Sequence, residues 1–235
     1  MRTLLLSDFQ KSKGNSVFDE SCTLSISDKA ALAIESGRLN LTIRQVGRKK
    51  SLYNLKVVVR SHFGNIKLAF GDSDSSVEFG DSTTGAYDVV AWRRSSIKIG
   101  AGTSSNGTRI ICDDSSFITG EDCMFSSNVL IQTCDQHGVV DLKTGEIINA
   151  RHRKVILGDH VWLGRQATIM PDVVIGEGSI VGACATATRS IPKTSVAVGI
   201  PAQVVKEDTT WCRSPHHLDT YAQAYVQQFS ATGLK

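Results

Sequence analysis

The protein has 235 residues, 41% of them hydrophobic but only 6% aromatic, with 20 glycines and four prolines. Its net charge of +3 is too small to imply nucleic acid, and no apolar run approaches the roughly 20 residues that cross a bilayer. A nucleic-acid binder and an integral membrane protein are therefore poor readings, and the size suits one large domain, or one domain with an appendage, whose core is built from Val, Ile, Leu and Ala.

Met1–Leu6 lacks the apolar stretch of a secretory signal, which makes the cytoplasm the expected compartment. Residues 1–54 show no regular period and are expected to form an N-terminal cap or small subdomain. From residue 75 a period of 20 sets in, through Ser75-Ser76-Val77-Glu78-Phe79-Gly80, Ser95-Ser96-Ile97-Lys98-Ile99-Gly100 and Ser115-Ser116-Phe117-Ile118-Thr119-Gly120. Arg93 and Arg94 precede the second of these units. They are either a solvated basic corner or contacts for an anionic ligand.

The register then breaks over residues 135–154, which read as a loop leaving a repeat structure. Long loops in compact repeat folds usually serve function. This one contains Asp135-Gln136-His137. If the stretch is extended, Asp135 and His137 share a face, and Asp135 can orient the imidazole. The alternative is a histidine on an ordinary surface loop.

From Leu157 a strict period of six follows: Leu157, Leu163, Ile169, Ile175, Val181 and Ala187 are all aliphatic. Four positions after each lie Val161, Ala167, Val173, Ser179, Ala185 and Ile191. Six residues turn an α-helix through about 600°, which is not a whole number of turns. A short flat strand plus a turn fits the period, and three such units close a triangular coil of 18. The 20-residue units read as the same coil with two residues added at one corner. Two fixed periods argue against a β-sandwich, whose strands come at irregular spacing. A solenoid has open ends that must be covered, so residues 207–235 are expected to provide a helical tail. Ser214-Pro215 resembles an N-cap and first helical residue, with Leu218, Tyr221, Ala222, Tyr225 and Phe229 on one face.

No two of the six cysteines (Cys22, Cys112, Cys123, Cys134, Cys184, Cys212) form a CxxC pair, and small buried thiols are expected. The histidines, including His62, His152, His160, His216 and His217, show no pair spaced by five, so a metal-dependent hydratase on this kind of coil is not indicated. No metal is expected. His160 sits at a turn position and is expected to be solvated or at an interface.

Gly158-Asp159-His160-Val161-Trp162-Leu163-Gly164 and the closing Ala197-Val198-Gly199-Ile200-Pro201-Ala202 make the segment resemble the hexapeptide-repeat acyltransferases. The loop Asp135-Gln136-His137, with Asp141-Leu142-Lys143-Thr144-Gly145-Glu146 and Ile148-Asn149, is similar to the active-site loop of the polysaccharide O-acetyltransferase branch, which includes sialic acid polymer enzymes. The resemblance covers residues 75–206. It implies an all-β, left-handed parallel β-helix over residues 55–206, a homotrimer with each site between two subunits, and acetyl-CoA as donor to a carbohydrate hydroxyl. It implies His137 as general base, the side chain best poised to take a hydroxyl proton near neutral pH.

By the same resemblance Trp162 lies near the donor's pantetheine arm and the acceptor, although packing in the trimer would also explain it. The positions that face the donor fall on Arg165, Ala183, Thr188, Arg189, Gln203 and Lys206. Gln203 departs from the basic residue common there. Asn106 resembles an Asn placed across the subunit cleft, against the plainer reading of a turn Asn before Gly107. Residue types do not separate O-acetylation from N-acetylation of an amino sugar nucleotide or of a small molecule. A purely structural or binding solenoid is the non-enzyme alternative.

Overall fold

The computed structural model describes residues 1–9 and 17–231. In chain order the elements are β1 (Arg2–Leu5), β2 (Thr23–Ile26), α1 (Asp28–Glu35), β3 (Leu39–Gln45), β4 (Lys56–Val59), β5 (Phe63–Phe70) and β6 (Ser76–Phe79). Then come β7 (Thr84–Ala91), β8 (Ser96–Ile99), β9 (Ser104–Cys112), β10 (Ser115–Thr119), β11 (Met124–Phe125), β12 (Val129–Gln132) and β13 (Arg153–Leu157). The two-residue strands β14 (Trp162–Leu163), β15 (Thr168–Ile169), β16 (Val174–Ile175), β17 (Ile180–Val181) and β18 (Thr186–Ala187) follow, before β19 (Val196–Val198), β20 (Gln203–Lys206) and α2 (Thr220–Ala231).

These strands wind a parallel β-solenoid of about seven turns. One face is the ladder β1-β2-β4-β6-β8-β10-β13-β16. The periodic sequence produces the core directly. Leu157, Leu163, Ile169, Ile175, Val181 and Ala187 are all buried, and so are the residues four positions after each. Val77, Ile97 and Phe117 stack in one register column of the first face, and none is more than 1% exposed. Each such aliphatic or aromatic side chain contributes about 1.5–3 kcal/mol by leaving water. The serines that open the 20-residue units are buried too, but satisfied: Ser75 Oγ donates to the Trp92 carbonyl at 2.8 Å and accepts from Ser95 N at 3.0 Å.

The extra residues of the 20-residue coils sit at the corner from β9 to β10, where the step from Arg109 to Ile118 replaces the shorter step from Thr168 to Val174. The corner before it is shortened, and there two faces merge into one long strand. β5, β7 and β9 each run eight or nine residues, and β9 forks. Its start pairs with β11 and its end with β12, after which β11–β12, β14–β15 and β17–β18 give two short strands per coil where earlier coils had one. The parallel ladders also extend upstream of residue 55, since β2 pairs with β4 and β3 with β5. Residue 54 is therefore no break in the sheet. Ordinary capping appears further out: β1 closes the first sheet antiparallel to β2, and α1, capped by Ser27 Oγ accepting from Ala30 N, buries Ala30 and Ala33 in the same core.

At the other end β20 runs antiparallel to β19. The C-terminal helix starts later than Ser214-Pro215. Ser214 Oγ instead takes the His216 N–H at 3.2 Å in a turn, and Asp219 Oδ1 caps α2 by accepting from Ala222 N at 2.9 Å. Ala222 is buried, whereas Leu218 and Tyr221 are exposed; the side chain of Phe229 lies outside the described residues. No helix among the described residues is long and apolar enough to cross a membrane.

Candidate functional site

Two concavities hold most of the candidate residues. The first surrounds the root of the loop between β12 and β13. It is lined by Asp135, His137, Asn149, Arg93, Arg94, Asp113, Asp114, Arg151 and Arg153, among others. His137 is exposed here. Arg93 and Arg94 are consecutive residues of one coil and are held in place by acids one coil further on. Arg93 makes two bonds to Asp113, at 2.9 and 2.8 Å, and Arg94 two to Asp114, at 3.0 and 2.6 Å. These pairings raise both guanidinium pKa values, chiefly through the hydrogen bonds to Asp113 and Asp114. The bond from Arg94 likewise holds the Asp114 carboxyl below the usual carboxylate range, with a second contribution from His152. Neither Arg93 nor Arg94 is therefore an unpaired charge, and both side chains stay more than half exposed at the rim.

Asp135 does not orient the imidazole. Its Oδ2 accepts from Arg153 Nη1 and from Asn149 Nδ2, both at 2.9 Å. The reason is local backbone geometry: Gln136 has φ +60°, so the stretch is not extended and the two side chains do not share a face. Asn149 holds the loop root more fully than anything in the sequence reading suggested. Its Nδ2 also donates to the His137 carbonyl at 2.8 Å, and its Oδ1 accepts the Val139 N–H at 2.8 Å. Beyond it Val140 pairs with Ile147 in a small antiparallel bridge, and the Asp141 side chain takes the Lys143 N–H at 2.7 Å to turn the chain.

The second concavity lies on the β14–β17 face, where Asn106, Ser126, Trp162, Gly164, Arg165, Gly182 and Ala183 line a groove of about 480 Å³. Four candidate residues thus meet here. Asn106 belongs to β9 at the fork of the sheet and not to a free turn. The Trp162 indole donates to Ser126 Oγ at 3.3 Å. Gly164 and Gly182 leave the floor at backbone level: a Cβ on Gly164 would meet Ala183 N at 2.6 Å. Thr188 and Arg189 are exposed beyond β18. Gln203 and Lys206 bound β20, on the same sheet as the groove but not in its lining.

His160 is the clearest departure from expectation, being fully buried. Its Nδ1 contacts Asp122 Oδ2 at 2.7 Å and its Nε2 the Trp211 carbonyl oxygen at 2.9 Å. The ring stacks on the Trp211 indole with centroids 4.0 Å apart, and the indole N–H returns to the His160 carbonyl at 2.7 Å. Arg213 adds a 2.7 Å bond to Asp122 Oδ1. This cluster fastens the segment after β20 to the solenoid. Its partners are 38 and 51 positions from His160, too far apart for a local motif to announce them. Four of the cysteines are buried as expected, but Cys184 is exposed and Cys212 half-buried; burial pushes the Cys112 and Cys123 thiols up to about 12. Among the described residues no three His, Cys, Asp or Glu side chains are grouped to hold a metal.

Comparison with known proteins shows a local match to one family and a likeness in fold. Residues 154–189 match the family described as bacterial transferase hexapeptide (six repeats). The polysialic acid O-acetyltransferase of Escherichia coli O1:K1 / APEC is 31% identical over 128 residues, which cover 54% of this chain and 41% of that protein. The chain spans about half the length of the curated relatives it matches. Among solved structures, the polysialic acid-specific acetyltransferase NeuO superposes with a TM-score of 0.67 over 91% of this chain and 99% of its own, at 21% identity. The polysialic acid O-acetyltransferase OatWY gives 0.63 over 88% and 94%, at 26% identity.

Proposed function

We propose that this chain, which matches the hexapeptide-repeat transferases over residues 154–189, moves the acetyl group of acetyl-CoA onto hydroxyls of a surface polysaccharide, capsule or lipopolysaccharide, or of its sugar precursor. The observation that carries this reading is His137, exposed at the root of the long loop between β12 and β13, in a concavity lined by arginines held in fixed poses. The likeness to polysialic acid O-acetyltransferases supports hydroxyls of a sugar polymer as the acceptor class. The arginine rim suits a polymer that carries carboxylates.

The second concavity fits the donor. Its floor of Gly164, Gly182 and Ala183 lets an extended pantetheine lie against the backbone, with Trp162 covering the arm and Arg165 at the rim for the phosphates. Thr188, Arg189, Gln203 and Lys206 lie further along the chain; Arg189 and Lys206 supply cations and Gln203 a neutral contact. In the reaction His137 takes the acceptor hydroxyl's proton as the oxygen attacks the thioester carbonyl. The C–S bond breaks, and His137 returns the proton to the departing thiolate. Hydrogen-bond donors facing the carbonyl, Asn106 among them, would stabilise the oxyanion. In a single chain His137 and the donor groove line separate concavities. A homotrimer in which the loop of one protomer faces the groove of its neighbour completes the site.

The test is transfer of labelled acetyl from acetyl-CoA to a panel of polysaccharides and amino sugar nucleotides. Wild type should acetylate hydroxyl polymers, and His137→Ala should lose about 10²–10⁴-fold in rate with its assembly intact. Transfer to amino sugars alone, or an unchanged His137→Ala rate, would contradict the reading.

A further inference from the structure

We infer that Asn149 is a positioning residue that fixes the main chain directly after His137, ties it to the Asp135 side chain, and so aims the imidazole. The inference rests on the reading of His137 as base. The carboxamide of Asn149 has two donor hydrogens and an acceptor oxygen, and all are spent within the root of the loop. One N–H goes to the His137 carbonyl at 2.8 Å and the other to Asp135 Oδ2 at 2.9 Å. The oxygen receives the Val139 N–H at 2.8 Å. The partners fix the amide's orientation, because carbonyl and carboxylate oxygens can only accept and a main-chain N–H can only donate.

The arrangement bears on His137 and not on the loop tip. The peptide groups held are those of residues 137 and 139, flanking Gly138, which has no side chain of its own to anchor the turn. The third bond ties the clamp to Asp135, which Arg153 of β13 holds from the solenoid side at 2.9 Å. A path of hydrogen bonds therefore runs from the rigid coil through Arg153, Asp135 and Asn149 to the backbone of His137. His137 itself is exposed and lies outside the buried core. Loop catalytic groups need such support, since displacing a reacting group by about 1 Å can cost about 10²-fold in rate.

The test compares Asn149→Ala and Asn149→Gln with wild type, each also built into His137→Ala. Asn149→Ala should lower kcat about 10²-fold, with the KM for acetyl-CoA within about twofold. In the His137→Ala background the same substitution should have no further effect on residual turnover, because Asn149 acts only through the imidazole. Asn149→Gln keeps the amide one methylene further out and should recover part of the loss. A kcat for Asn149→Ala within about threefold of wild type overturns the inference. So does an equal further loss in the His137→Ala background, which would mark a general structural role. If Asn149→Ala does not assemble, the Asn149→Gln pair carries the same double comparison. Full activity in His137→Ala would instead remove the base assignment itself, whereas a dead His137→Ala beside a normal Asn149→Ala removes only the positioning role.

Discussion

Arg94 and Asp114 lie twenty residues apart in the chain and on adjacent coils in space, and both occupy left-handed corner conformations, φ +44° and +46°. The repeat makes the pair: it stacks position on position and turns a sequence period into a salt bridge. Because the bond from Arg94 depresses the Asp114 pKa, the carboxyl binds its proton less readily in the folded chain than in the unfolded one. The pair's stabilisation is therefore present above the ordinary Asp pKa of about 3.9 and lost as pH falls through the lower folded-state value. Thermal melts over the acid range should show Asp114→Asn less stable than wild type near pH 7, and the gap should close as the pH falls; a gap independent of pH would refute the pairing. Its partial exposure keeps the effect modest. The sequence offered Arg93 and Arg94 as candidates but hid their partners, since pairing requires knowing which coil stacks on which. Asp135 failed for a different reason: one residue with positive φ, Gln136, redirected a side chain that a straight strand would have aligned with His137.

At the level of elements, what repeats was legible and what happens once was not. Leu157 and its hexad relatives identify themselves because the same burial demand recurs every six residues. The glycine that follows several of them, and that follows Ile99 in the 20-residue repeat, has an equally local cause. Consecutive coils meet backbone to backbone there, and a Cβ on Gly100 would stand 2.0 Å from the Gly120 carbonyl oxygen. Gly100→Ala should therefore lower the melting temperature, with an overpacking cost of about 1–3 kcal/mol or more because backbone must move; an unchanged melt would show that the coils are not stacked so closely. β2 and β3 escaped notice because α1 lies between them, so that Thr23 pairs with Lys56 at a spacing belonging to neither repeat. Ser214-Pro215 misled because a serine before proline suits a turn as well as a cap. Asp219, which does cap α2, carries no proline to mark it.

For the molecule as a whole, the solenoid sets candidate groups on separate surfaces of one chain. His137 stands at the root of a loop whose Val140, Leu142, Ile147 and Ile148 are all more than half exposed. Exposed apolar clusters of this kind mark contact surfaces. The proposed donor groove opens on the β14–β17 face, with Trp162 half-buried at its edge. In the proposed trimer a neighbouring copy would receive the loop and bring its groove to the imidazole. The proposal of shared sites can be tested by subunit mixing. His137→Ala protomers lack the base, and Ala183→Trp protomers have a blocked groove, so each homotrimer should be inactive in acetyl transfer. Assemblies formed from both together should regain activity, because some interfaces then pair an intact loop with an intact groove. Mixed assemblies that form yet stay as inactive as either parent would contradict the account.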